Sequence, residues 1–206
     1  MPAVPGKSRI VIIGGGVIGC SIAYHLAKRG ERDVLLLERA QLTHGATWHA
    51  AGLVGQLRSS SNLTRLMRYS AELYGTLEAE TGQATGWHGV GSLRLASSPV
   101  RWKELQRSAT MAKGFGFHVD LISPGDARNL FPLIELRDVV GAAWISGDGY
   151  VDPASLTQAY AAGARSGGVS IVQGVRVTSL QKRGRRVSAV VTDHGEIGRA
   201  SCRERV

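Results

Sequence analysis

His49 is the side chain best placed to do chemistry in this chain. It lies in Gly45-Ala46-Thr47-Trp48-His49-Ala50-Ala51-Gly52-Leu53, where small residues surround one imidazole. A neutral imidazole nitrogen can attack an activated methyl group, and small neighbours let the backbone lie close to a flat ring. His44 precedes the small-residue stretch and is the weaker candidate. A second constellation lies upstream: Gly14-x-Gly16-x-x-Gly19, with Glu38 about twenty residues further on. In that pattern Gly14 permits a tight turn, Gly16 lets the backbone approach a pyrophosphate, and Gly19 allows a helix to pack closely on a strand. The helix start then offers free N–H groups and a partial positive charge to phosphates. Glu38 suits ribose hydroxyls and would repel a 2′-phosphate. Together these residues read as a dinucleotide site.

The elements that must position them follow from the pattern. Arg9 to Ile13 is a short apolar run suited to a parallel strand buried on both faces. Helical spacing follows from Ser21 to Arg29, ended by Gly30, and Asp33 to Leu37 is a second strand closed by Glu38. Strand, glycine turn, helix and strand make a βαβ unit. Downstream, residues 62–82 read as a long amphipathic helix on which Arg68 and Glu72 can pair. The spacing then predicts strands over 91–96, 118–122, 139–145, 170–173, 175–180 and 187–192. It predicts helices over 99–113, 124–130 and 154–166, the last capped by Asp152 ahead of Pro153. The fold class is α/β. His25 and His88 read as structural, Cys20 as a small packed residue, and Asp148 and Tyr150 as candidates for the border of a substrate site.

Bulk properties narrow the class. An apolar content of 43% supports a core, and no apolar run reaches the roughly 20 residues of a membrane span. Cys20 and Cys202 make no disulfide framework or metal site, so the expected metal set is none. Met1 to Ser8 is too short for a signal peptide ahead of the strand at Ile10, so the expected location is cytoplasmic. A formal charge of +9 invites a nucleic-acid reading, but the basic residues are scattered. Their one cluster, Lys182-Arg183-Gly184-Arg185-Arg186, reads as a solvated hairpin turn. A phosphate-bearing cofactor also favours a positive field.

Four stretches carry a resemblance to a known family: Val11 to Gly19, Gly45 to Leu53, Gly91 to Ala96, and Gly147-Asp148-Gly149-Tyr150-Val151-Asp152-Pro153. Together they resemble the FAD-dependent amino-acid oxidoreductases related to D-amino acid oxidase, nearest the dimethylglycine and sarcosine dehydrogenase branch. The first stretch is shared by many flavoproteins; the Trp-His-Ala-Ala stretch is far more specific. The resemblance implies an FAD-binding Rossmann-like domain of the glutathione-reductase type with part of an antiparallel-sheet substrate domain. It implies FAD bonded covalently through His49 to the C8 methyl of the flavin. Cofactor contacts are implied at Gly14, Gly16, Val17, Ile18, Gly19, Glu38, Arg39, Ala46, Thr47, His49, Gly52, Leu53 and Val177. The implied activity is oxidation of an N-methylated amino acid, with hydride leaving the N-methyl carbon for flavin N5. Implied partners are a small amine substrate, a folate, and an electron acceptor such as an electron-transfer flavoprotein or oxygen. No catalytic acid or base is assigned. Arg58, Arg65, Arg68 and Arg94 are available to hold a substrate carboxylate, and nothing in the sequence selects one. An oxidoreductase of the same fold acting on another amino or hydroxy acid, and a non-catalytic flavin-binding or pseudogene fragment, remain as alternatives.

The expected organisation is an FAD-binding domain over 1–86 and 146–195, with part of a substrate domain over 87–145. Residues 196–206 break the strand pattern with an arginine-rich string matching the in-frame translation of a sequencing adapter. They are expected to be a non-native tail on an N-terminal fragment. Ile10 to Ile13 is then expected to lack a partner on one side, a template for aggregation.

Overall fold

A computed structural model describes residues 3–200. In chain order its elements are β1 (Lys7–Ser8), β2 (Ile10–Ile13), α1 (Val17–Lys28), β3 (Val34–Glu38), a one-turn 3-10 helix (Ala46–His49), β4 (Leu53–Val54) and α2 (Ser61–Thr81). There follow β5 (Ser92–Ala96), α3 (Pro99–Gly114), β6 (Asp120–Ile122), α4 (Pro124–Leu130), β7 (Gly141–Ile145) and β8 (Gly149–Tyr150). The last are α5 (Pro153–Ser166), β9 (Ser170–Gln173), β10 (Val177–Arg183), β11 (Arg186–Thr192) and β12 (Gly195–Arg199). They form two compact units. Among the described residues, the first holds residues 3–52, Thr76–Gly86 and residues 152–200; the second holds Leu53–Gly75 and Trp87–Val151.

In the first unit, β2, β3 and β9 form a parallel sheet in that order. Val34 to Leu37 are buried, as strands covered on both faces must be. One face is covered by α1 and α5, which approach closely because their contact residues are small. A Cβ on Gly163 would meet the Tyr24 ring at 2.7 Å, and Ala23, Ala161 and Ala164 are fully buried. The other face meets a second sheet, ordered β1-β12-β11-β10, across a core of Leu35, Leu37, Val175, Val190 and Ile197. Arg183 ends β10 and Arg186 starts β11, with Gly184 at φ 61° between them, so the basic cluster is the hairpin turn its composition suggested.

Two expectations change here. The strand pattern does not stop at Thr192: Gly195–Arg199 forms β12, antiparallel to β11 and parallel to β1. The reason is Ile197, which aligns with Val190 and is 1% exposed in the core. Residues 201–206 of the expected tail lie outside the described residues. The domain boundary also moves. Residues 53–75 and 146–151 belong with the second unit, because Leu53 and Val54 pair with Tyr150 and Gly149, and the Asp148 carboxylate holds the Gln56 N–H. β2 does lie at a sheet edge among the described residues, with Ile13 53% exposed.

The second unit is built on an antiparallel sheet, β5-β7-β6, with β7 central. Helix α3 covers it through Leu105, with Ala96 and Ala143 beneath and Trp102 and Val119 at the margin. Ser98 caps α3 by accepting the Arg101 N–H, and Ser123 with Asp126 forms a reciprocal capping box on α4. Asp152 caps α5 in the first unit by accepting the Ser155 N–H at 2.6 Å. Backbone hydrogen bonds hold the Asp152 carboxyl below its usual range.

One polar cluster in the first unit gives a pH dependence. Tyr24 donates to Glu80 at 2.5 Å, and Lys28 donates to both at 3.2 and 3.1 Å. The bond from Tyr24, then that from Lys28, holds the Glu80 carboxyl below its ordinary value of 4.5. A depressed acid stabilises fully above its unfolded pKa and loses that contribution as pH falls through the folded one. Glu80→Gln should therefore lower the melting temperature at neutral pH and flatten its fall below pH 4.5; thermal melts of both proteins across that range check it. The group is more than a third exposed, so the effect is small.

Candidate functional site

The glycine turn and the histidine segment are joined in the first unit by side-chain bonds that local sequence does not reveal. β2 runs into Gly14 at φ 108°, whose N–H donates to the Leu37 carbonyl at 2.8 Å. That bond starts the turn from the neighbouring strand. Gly19 is obligatory for packing: a Cβ there would lie 3.1 Å from the Gly14 carbonyl carbon and closer still to its oxygen. Gly16 is the N-cap of α1 and supplies no side-chain cap. Thr47 supplies it instead, its Oγ1 accepting the Val17 N–H at 3.0 Å. The residue between the motif glycines matters as much. A Cβ on Gly15 would meet Leu42 Cδ2 at 2.6 Å and Glu38 Cβ at 2.9 Å. Sequence reasoning passed over Gly15 because the motif leaves that position open.

Glu38 closes β3 as expected and braces the turn. Its Oε2 accepts the Gly15 N–H at 2.7 Å and its Oε1 the Ala40 N–H at 2.9 Å. Each carboxylate oxygen has two lone-pair sites, so capacity remains for ribose hydroxyls. Thr43, at φ 74°, is held in a conformation that β-branched residues rarely adopt. Its N–H donates to the Gly15 carbonyl at 3.0 Å, and its carbonyl accepts the Trp48 N–H at 3.2 Å. The chain thus turns from Glu38 into the 3-10 helix that carries His49.

His49 is exposed at the end of that turn, and Ala46, Ala50 and Ala51 are exposed around it. Trp48 is 69% exposed and so does not pack on a neighbouring helix. Ile18, in the first turn of α1, is 74% exposed, unusual for an isoleucine in a packed βαβ unit. Val17 is half-buried, Arg39 and His44 are exposed, and Gly52 takes φ 76°. Leu53 begins the second unit and is exposed. Val177 is half-buried against the core beneath β10; the backbone N–H that meets Glu38 is that of Val175, at 2.9 Å from its carbonyl. His25 bonds the Ser21 carbonyl at 2.7 Å, and His88 stacks on Tyr150, so both are engaged within the fold.

Cys20 is buried beside the Gly15 carbonyl, and burial pushes its thiol up to about 11. The thiolate is the reactive form. Cys20 should stay unmodified by iodoacetamide in native protein at pH 8 and react on unfolding, as peptide mass spectrometry would show.

These residues fit FAD. The turn is kept open by glycines, the first turn of α1 faces outward with an exposed isoleucine, and a carboxylate ends the second strand. Small residues leave the backbone beside His49 uncovered. Among the described residues no group of histidine, cysteine or acidic side chains is arranged to hold a metal. No helix is long and apolar enough to cross a membrane.

Comparison with known proteins agrees. Over 196 residues the chain is 42% identical to mitochondrial dimethylglycine dehydrogenase of Mus musculus, covering 95% of this chain and 23% of the relative. It is 38% identical to mitochondrial sarcosine dehydrogenase of Homo sapiens, covering 94% of this chain and 22% of the relative. The chain therefore spans less than a quarter of the length of these relatives. Among solved structures, L-proline dehydrogenase from P. horikoshii superimposes with a TM-score of 0.89 at 31% identity, over 95% of this chain and 52% of that one. Glycine oxidase from Geobacillus kaustophilus gives 0.81 at 29% identity, over 95% and 54%. The family model described as FAD dependent oxidoreductase matches residues 9–205. With that match spanning both units, the chain belongs to the DAO family of FAD-dependent oxidoreductases.

Proposed function

We propose that this chain carries FAD bonded through His49 and belongs to an enzyme that oxidises an N-methylated amino acid of the dimethylglycine or sarcosine type. The observation that carries the tether is the bond from Val17 N–H to Thr47 Oγ1. It locks the 3-10 turn bearing His49 onto the first turn of α1, so the phosphate cradle and the imidazole are parts of one rigid piece. An exposed imidazole flanked by alanines is then open to a flat ring. FAD, when bound, supplies the acceptor for the hydride that leaves the substrate's N-methyl carbon. The chain's own residues orient and hold: Glu38 takes ribose hydroxyls, the α1 N–H groups take phosphate oxygens, and His49 holds the ring in place. The substrate class rests on likeness to the dimethylglycine and sarcosine dehydrogenases. A folate to take the one-carbon unit, and an electron-transfer flavoprotein or oxygen as final acceptor, complete the proposed partners. Likeness to L-proline dehydrogenase supports a second reading, in which the substrate is another amino acid.

Acid precipitation tests the tether. Flavin fluorescence should stay with the wild-type pellet and move to the supernatant in His49→Ala. Free flavin from the wild type would overturn the covalent reading. Dye reduction driven by dimethylglycine or sarcosine, compared with proline and glycolate, decides between substrate classes.

A further inference from the structure

Among the described residues, Thr43 is the one non-glycine with a positive φ, 74°. Glycine adopts that conformation freely, whereas a side chain branched at Cβ is strained in it. Thr43 is 9% exposed, so no need for a polar surface residue explains the threonine. Bonds on both sides explain how it is held. Just upstream, the Leu42 N–H donates to the Gln173 side chain at the end of β9 at 2.7 Å, and Leu42 is buried. At Thr43 itself the N–H donates to the Gly15 carbonyl at 3.0 Å, and the carbonyl accepts the Trp48 N–H at 3.2 Å. One residue's backbone thus ties the glycine turn to the 3-10 turn.

Its place in the chain shows what this joint controls. From Thr43 to Ala51, Thr43 and Thr47 are buried and every other residue is exposed. Thr47 fastens the 3-10 turn to α1 through the Val17 N–H. Thr43 sets the direction from which the chain enters that turn. Glycine at this position would relieve the strain, yet it would also open many backbone conformations and make the joint a hinge. Any residue with a Cβ is confined to the small left-handed well. The strain therefore accompanies precision, and precision matters where an imidazole nitrogen must meet one carbon of a ring.

We propose that Thr43 is a positioning residue for bond formation at His49: a rigid, strained joint that presets the His49 turn relative to the phosphate cradle before the flavin is attached. The role in attachment rests on the tether proposed above; the rigidity of the joint does not. Forming the tether removes one hydrogen from the ring's C8 methyl and one from the imidazole nitrogen, and makes one N–C bond. Those two hydrogens, with their two electrons, pass to the ring and then to molecular oxygen, giving hydrogen peroxide. Thr43 exchanges no atom in that step and acts through the backbone alone.

The test uses the full chain expressed without riboflavin and then mixed with FAD in air, with acid-stable flavin followed over time. Thr43→Gly should form the bond about 10- to 100-fold more slowly than wild type. Its reversible FAD affinity, read by flavin fluorescence in a His49→Ala background, should stay within about 3-fold, because the cradle is untouched. Its melting temperature should stay within about 5 °C, since relief of strain and the greater freedom of unfolded glycine oppose each other. Thr43→Ala and Thr43→Asn keep a Cβ and should form the bond within about 3-fold of wild type. Backbone hydrogen exchange over residues 43–49 of the flavin-free chain should quicken about 10-fold in Thr43→Gly and stay unchanged in the other two. Bond formation at the wild-type rate in Thr43→Gly would overturn the proposal. Equal slowing in Thr43→Ala and Thr43→Gly would also overturn it, assigning the effect to the threonine side chain. Release of wild-type flavin by acid would overturn the tether; faster exchange confined to Thr43→Gly would then still support the rigid joint, and equal exchange in all four proteins would overturn it.

Discussion

Gly19→Ala should yield no soluble, flavin-loaded protein. The added methyl would enter the space of the Gly14 carbonyl, and that carbonyl has nowhere to go. Gly14 is bonded to Leu37 at 2.8 Å, and β2 is locked in register with β3 from Ile10–Val34 to Ile13–Leu37. Helix α1 cannot retreat either, because its far face meets the α5 end at Gly163 and Gly167, where an added Cβ would lie 2.7 Å from Tyr24 and 2.5 Å from Ala27. Ordinary overpacking costs about 1–3 kcal/mol when side chains can shift; a clash between two anchored backbones exceeds that. Against a typical net stability of about 5–15 kcal/mol, the cradle would open or the unit would fail to form. Gly15→Ala should be milder, since part of its conflict is with the mobile end of Leu42. Gly45→Ala should be silent: nothing lies within 4 Å of its added carbon and its φ is −86°. Soluble fraction and flavin absorbance per protein order the three. Equal flavin loading in Gly19→Ala and Gly45→Ala would refute the argument.

The contrast between Gly19 and Gly15 shows what the sequence made legible. A glycine needed for a strand-to-helix turn recurs at fixed spacing, so Gly14, Gly16 and Gly19 were readable. Gly15 owes its burial to Leu42 and Glu38, residues more than twenty positions away, and no local pattern encodes that. The same division runs through the fold. β2, α1, β3 and α5 announce themselves by apolar runs, caps and glycine stops. β4 and β8 are two residues each and exist only as each other's partners, which carried residues 53–75 into the second unit against expectation. β12 was obscured by the arginine-rich string that begins at its last residue, Arg199; Ile197, opposite Val190, seats it in the core. His49 stood out by its setting, but the Thr47 bond that fixes its turn had no signature, because threonine in a small-residue loop has many uses.

Asp148→Ala should strongly destabilise the second unit. The carboxylate is buried, and its loss strips the partner from the Gln56 N–H and the Ser92 hydroxyl. Gln56 is itself buried and too far inside to recover water. Each orphaned buried group costs about 1–3 kcal/mol. With one of the two half-buried, the total should reach about 2–4 kcal/mol. At about 2–4 °C per kcal/mol for a chain of this size, the melting temperature should fall by about 4–16 °C. Asp148→Asn preserves the shape. Its oxygen can still accept the Gln56 N–H, and the Ser92 hydroxyl can rotate to accept from the amide, so the loss should stay near 1 kcal/mol. That variant separates charge from shape. Thermal melts order the three proteins: Asp148→Asn should melt close to wild type and Asp148→Ala well below it, and equal melting of the two variants would refute the argument.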